Sequence, residues 1–151
     1  MNKRKRNKQL KKLGVPTEKE LRKDSWSLDY SIAQFTLPRL KYLSKHLYGY
    51  PASFSDCSEW EEVLEKMIIA FEYMLDEDNW WFNNSKYDYT KYMNHITFRD
   101  EEGRRCSTFE PTDKEKYETI RAAHMAELAR RNSVIDEGLE LFGKYFRNLW
   151  T

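Results

Sequence analysis

The residues that most often carry catalysis are scattered in this chain. His46, His95 and His124 fall in three separate segments with no HxxxH spacing, whereas a metal centre needs at least three converging ligands. His124 falls on an apolar helical stripe and is expected as a structural histidine. Glu59, Glu61 and Glu62 crowd a helix start, and Asp136, Glu137 and Glu140 lie on a solvated face. Asp29, within Trp-Ser-Leu-Asp-Tyr, is placed to hold Arg39 or a partner's donor, a structural pairing before a catalytic one. GxGxxG, GxxxxGK[ST] and GxSxG are all absent. The expectation is a protein without catalysis, metal or cofactor.

Two other groupings point to binding. Seven Lys or Arg stand within the first twelve residues, enough for salt-dependent, sequence-independent contact with a polyanion such as nucleic acid. A solubilising tail is the other reading of the same run. Further on, Trp80, Trp81, Tyr87 and Tyr89 mix with Lys86, Arg99, Arg104 and Arg105. Aromatic faces stack on bases and Arg forks onto phosphates, so a nucleotide pocket uses this combination. The alternative is that the aromatic rings pack over the helices.

The elements that must position these residues are mainly helical. Only 5 Gly and 4 Pro in 151 residues argue against a turn-rich β architecture, while 23 aromatic residues supply ample core material. Residues 1 to 23 carry ten basic and two acidic residues, leaving 16 basic and 23 acidic for the rest. They read as a basic flexible arm, with residues 24 to 151 as a single helical domain. Cys57 and Cys106 lack CxxC spacing and no signal sequence is apparent, so a reducing cytoplasm is expected. The longest strictly apolar stretch, Met67 to Phe71, is far short of the roughly 20 residues that span a bilayer.

Three principal helices are expected. The first is capped by Ser25 or Ser27 and runs to about Leu47, with Leu28, Ile32, Phe35, Leu40, Leu43 and Leu47 toward the core and a kink or break near Pro38. The second opens on the capping box Ser58 to Glu61 and buries Trp60, Val63, Leu64, Met67, Ile68, Phe71, Met74 and Leu75. The third is long, from an N-cap at Thr112 to Trp150, with a bend near Asn132 to Gly138. Its small residues Ala122, Ala126, Ala129 and Ser133 are expected to meet a second copy of the chain, making a homodimer or higher oligomer. A small β-hairpin is expected at 96–109, turning at Asp100 to Gly103, with a long loop as the alternative.

Three stretches in order, Trp26-Ser-Leu-Asp-Tyr-Ser-Ile-Ala-Gln-Phe through Pro38-Arg-Leu-Lys, Trp60-Glu-Glu-Val-Leu-Glu-Lys-Met-Ile-Ile-Ala-Phe-Glu-Tyr, and Glu137-Gly-Leu-Glu-Leu-Phe-Gly-Lys-Tyr-Phe-Arg-Asn-Leu-Trp, resemble a widespread family of small bacteriophage proteins. The resemblance covers three helices and carries no catalytic motif. It implies a counter-defence protein of the host bacterial cytoplasm. The implied activity is sequestration of a host cyclic nucleotide immune signal without turnover, as anti-CBASS sponges do. On that implication Arg39, Lys41 and Lys45, or Arg104 and Arg105, meet phosphates, and Trp80, Trp81 or Tyr87 stack on bases. The alternative is a phage accessory protein that binds nucleic acid or a host protein through its basic arm.

Overall fold

The computed structural model describes residues 3–14, 16, 18–77, 79–80 and 85–150. Its helices are α1 (Lys3–Lys12), α2 (Glu18–Asp24), α3 (Leu28–Lys45), α4 (Cys57–Leu75) and α5 (Lys114–Tyr145). Short 3-10 turns at Ser85–Tyr87 and Tyr89–Tyr92 lead into a hairpin of β1 (Met93–Arg99) and β2 (Arg105–Pro111), and a last 3-10 turn, Phe146–Asn148, follows α5. The fold is mainly α with a long C-terminal helix and a small antiparallel hairpin, as the sequence predicts. The basic arm contains the helices α1 and α2, with Gly14 between them at a positive φ of 70°.

Local chemistry sets the helix ends, a residue or two away from the expected positions. At α4 the N-cap is Asp56, whose carboxylate accepts from the Glu59 backbone N–H at 3.1 Å and from the Ser58 hydroxyl at 2.6 Å. Glu59 reaches back to the Ser55 N–H at 3.0 Å, completing a reciprocal cap. At α5 the N-cap is Asp113 and not Thr112, and it accepts from the Lys116 N–H at 3.1 Å. Ser27 stands at the N-cap of α3 without a side-chain cap bond.

α3 continues through Pro38 as one helix. The proline ring sits on the exposed side, and one residue on, the Arg39 guanidinium folds back to donate to the Phe35 carbonyl at 2.6 Å. α5 likewise runs unbroken through Asn132 to Gly138 for 32 residues, about 48 Å at the usual helical rise.

The core lies where α3, α4 and the end of α5 meet. Trp60, Leu64, Met67, Ile68 and Phe71 of α4 pack with Ala33, Leu40 and Leu43 of α3, and Leu141, Phe142, Tyr145 and Leu149 close the cluster. Phe71 meets Phe142 edge-on at 5.1 Å, and Trp60 meets Tyr145 at 5.5 Å. Each fully buried large side chain contributes about 1.5–3 kcal/mol of burial free energy. α5 reaches α4 closely because Gly138 faces Ala70. Beside that contact Lys66 pairs with Glu137 at 2.6 Å.

α3 turns differently from the expected arc. Its core side is Ala33, Leu37, Leu40 and Leu43, whereas Leu28, Ile32 and Phe35 are exposed. The helix carries two apolar stripes, and α4 with α5 covers only one.

A second cluster packs along the middle of α5. His124 is buried beside Trp80 at 4.9 Å, Tyr89 at 5.3 Å and Tyr87 at 6.4 Å between ring centres. Arg131, also buried, lies over Tyr73 at 4.2 Å and reaches Asp76 at 3.4 Å. The hairpin beyond is mostly exposed on both faces, and its base is tied to the 3-10 turns by the Thr112 N–H to the Tyr92 carbonyl at 2.8 Å.

Candidate functional site

The exposed stripe of α3 and the last residues of the chain face each other across a groove of about 350 Å³. Phe35, Thr36, Arg39, Leu40, Tyr42 and Leu43 form one wall; Phe142, Phe146, Leu149 and Trp150 form the other. Four of its rings remain largely in solvent: Phe35 62%, Tyr42 63%, Phe146 62% and Trp150 74%. Large aromatic side chains at this exposure are costly to leave uncovered, and clustered ones mark interaction surfaces. Among the described residues Arg39 is the only Lys or Arg lining the groove, and its guanidinium sits 3.6 Å over the Phe35 ring. That stacking leaves a planar cation beside flat rings, the arrangement that receives an aromatic ligand carrying an anionic group.

The other phosphate candidates lie elsewhere. Lys41 turns away from the groove to pair with Glu72 of α4 at 2.5 Å. Lys45 is exposed in the last turn of α3, where its charge complements the helix dipole. Arg104 belongs to the hairpin turn. Asp100 accepts from its side chain at 2.7 Å, from its backbone N–H at 2.8 Å and from the Glu102 N–H at 3.0 Å, and Glu102 pairs with Arg104 at 2.8 Å. The Arg104 side chain, then its backbone, holds the Asp100 carboxyl below the usual carboxylate range. Arg105 begins β2 on the hairpin face shared by His95, Thr97 and Ser107.

The base-stacking candidates are placed by the second cluster. Trp80 is 7% exposed, and Tyr87 lies 6.4 Å from it and from His124. These two come together as parts of packed structure. Trp81 lies outside the described residues. Of the seven candidates among the described residues, Arg39 alone lines the groove.

Other chemistry has structural employment. His124 and Glu127 lie three residues apart on α5, and Glu127 is held by Arg130 at 2.7 Å, which keeps its carboxyl low. Asp29 lines a shallow polar hollow with Ser27, Tyr30 and Glu77. The Cys57 thiol is pushed up by burial and then by Glu61, to which it donates at 3.5 Å, so it is no activated nucleophile. Among the described residues no group of three or more His, Cys, Asp or Glu converges as a metal site. No helix among them is long and apolar enough to cross a membrane. No family model, curated protein or solved structure matches the chain.

The groove residues missing from the sequence-derived candidates are Phe35, Tyr42, Phe142, Phe146 and Trp150. A signal for them existed. Leu28, Ile32, Phe35 and Tyr42 together with Ala33, Leu37, Leu40 and Leu43 cover more of the helix circumference than one neighbour can bury.

Proposed function

We propose that this protein works by binding, without turnover, and that the ligand enters the groove between α3 and the C-terminal residues. The observation that carries this reading is Arg39 stacked on Phe35 at the rim of a groove walled by exposed aromatic rings. The ligand class that matches is a nucleotide, whose base stacks on a ring while a phosphate takes the guanidinium. The groove's volume is at the small end of those that take compact ligands. The resemblance of α3, α4 and the end of α5 to small phage proteins narrows the proposal to counter-defence, with a host cyclic nucleotide signal as the sequestered molecule.

Calorimetric titration with a panel of cyclic di- and trinucleotides tests this. Binding should appear for at least one, and the ligand should be recovered unaltered by chromatography. Loss of a charge-assisted hydrogen bond of about 1.5–3 kcal/mol implies that Arg39→Ala weakens binding roughly 10- to 100-fold. The absence of heat from every member of the panel would remove the proposal, and an altered ligand would convert it to an enzyme.

One further observation supports a second reading. Seven of the ten residues of α1 are Lys or Arg, at spacings where like charges repel along a helix. A polyanion relieves that repulsion, so nucleic acid is the partner α1 suits. Deleting residues 1–23 should then abolish nucleic-acid binding and leave cyclic nucleotide affinity nearly unchanged.

A further inference from the structure

The exposed stripe of α3 has an internal symmetry. Leu28, Ile32, Phe35, Arg39 and Tyr42, with His46 at the C-cap just beyond the helix, follow one another at steps of four, three, four, three and four, the alternation that forms the seam between paired helices. That order reads the same from either end. Two copies of α3 laid antiparallel, with a two-fold axis at the level of Leu37, therefore bring Leu28 level with the partner copy's position 46, Ile32 with position 42, and Phe35 with position 39.

The pairs that meet are chemically matched. Leu28 and Ile32 meet aromatic rings, and the Arg39 guanidinium, already stacked on Phe35 of its own chain, gains a second phenyl face. Antiparallel helices also align their dipoles favourably. No carboxylate stands on the stripe to be stranded by burial.

The area is that of an interface. Leu28, Ile32, Phe35 and Tyr42 with Phe146 and Trp150 leave roughly 700 Å² of side chain in solvent. An ordinary monomer's largest apolar patch is about 300–600 Å², and a stable dimer buries about 800 Å² per partner. From the spacing and the area together, we infer that this face is covered by the same face of a second copy, α3 against α3, as an antiparallel homodimer. The small-residue stripe on α5, Ala122, Ala126, Ala129 and Ser133, is exposed too, but offers far less apolar area.

One corollary rests on the nucleotide reading, whereas the pairing itself does not. Pairing covers the same Phe35 and Arg39 that the nucleotide would use, so a ligand taken there would compete with the partner copy and shift the dimer toward monomer.

The test is made on the full chain without nucleotide. Light scattering at high micromolar concentration should give twice the monomer mass of 18.4 kDa. I32D/Y42D, which alters only exposed side chains and sets like charges opposite each other across the seam, should be monomeric with an unchanged helical circular dichroism spectrum. With Cys57 and Cys106 replaced by serine, I32C/Y42C should form an interchain disulfide on oxidation. I32C alone should not, because its copies would stand about 15 Å apart along the seam. A monomer at that concentration would overturn the inference, as would a dimer that survives I32D/Y42D or an I32C variant that cross-links as well as the double variant. A monomer that still binds a cyclic nucleotide through Arg39 would sink the dimer alone.

Discussion

A methyl group added at Gly138 would stand 2.3 Å from the Ala70 Cβ and 2.7 Å from the Lys66 carbonyl oxygen, inside any real contact distance. Since one of those neighbours is backbone, relief requires α4 and α5 to separate. Gly138→Ala should therefore destabilise the fold by about 1–3 kcal/mol despite alanine's better helix propensity, read as a lower urea midpoint. Gly143 has nothing within 4 Å of its would-be Cβ, and Gly143→Ala should raise that midpoint. In the sequence the two glycines look alike as interruptions of one helix, because what separates them is Ala70, 68 positions before Gly138. Arg131 was illegible for the same reason: Tyr73, Asp76 and Trp80, which bury it, come from beyond its own helix.

The elements themselves were more legible than their ends. Periodicity located α3, α4, α5 and the hairpin, since each has a face to bury or a turn residue that fixes it; Gly103, at a φ of 78°, is the hairpin's. The caps are Asp56 and Asp113, where the sequence predicts Ser58 and Thr112, because these carboxylates take the orphan N–H groups. Four such aspartates carry a pH prediction. Asp56 is held low chiefly by the Ser58 hydroxyl, Asp88 by the Thr90 hydroxyl, Asp100 by the Arg104 side chain and Asp113 by the Lys116 N–H. A folded value below the unfolded one of about 3.9 stabilises fully above that pH and is lost as pH falls through the folded value. Thermal scans should thus show a steady midpoint from pH 7 to about 5 and a fall below about 4. Asp100→Asn should flatten part of that fall while lowering the plateau.

At the scale of the whole molecule, the binding face was hidden by its own apolarity. Leu28, Ile32 and Phe35 have the pattern of core residues, and only the positions of α4 and the last turn show that they stay exposed among the described residues. The candidate site was therefore legible in one residue, Arg39, and not in its walls. The predicted loss of nucleotide affinity in Arg39→Ala and the loss of dimer in I32D/Y42D address the same face by different readouts.

α5 has a consequence for how the protein breathes. Its last turns are clamped in the main core, its middle holds the His124 cluster, and the hairpin at its start is covered by little beyond the neighbouring 3-10 turns. Local opening follows buried contact, so hydrogen exchange should divide into three tiers, two along α5 and one in the hairpin before it. Amides of Met67 to Phe71 and Leu141 to Tyr145 should exchange only through global unfolding, those around His124 should exchange faster, and those of Met93 to Pro111 fastest. A uniform rate along α5 would mean that its two clusters open as one.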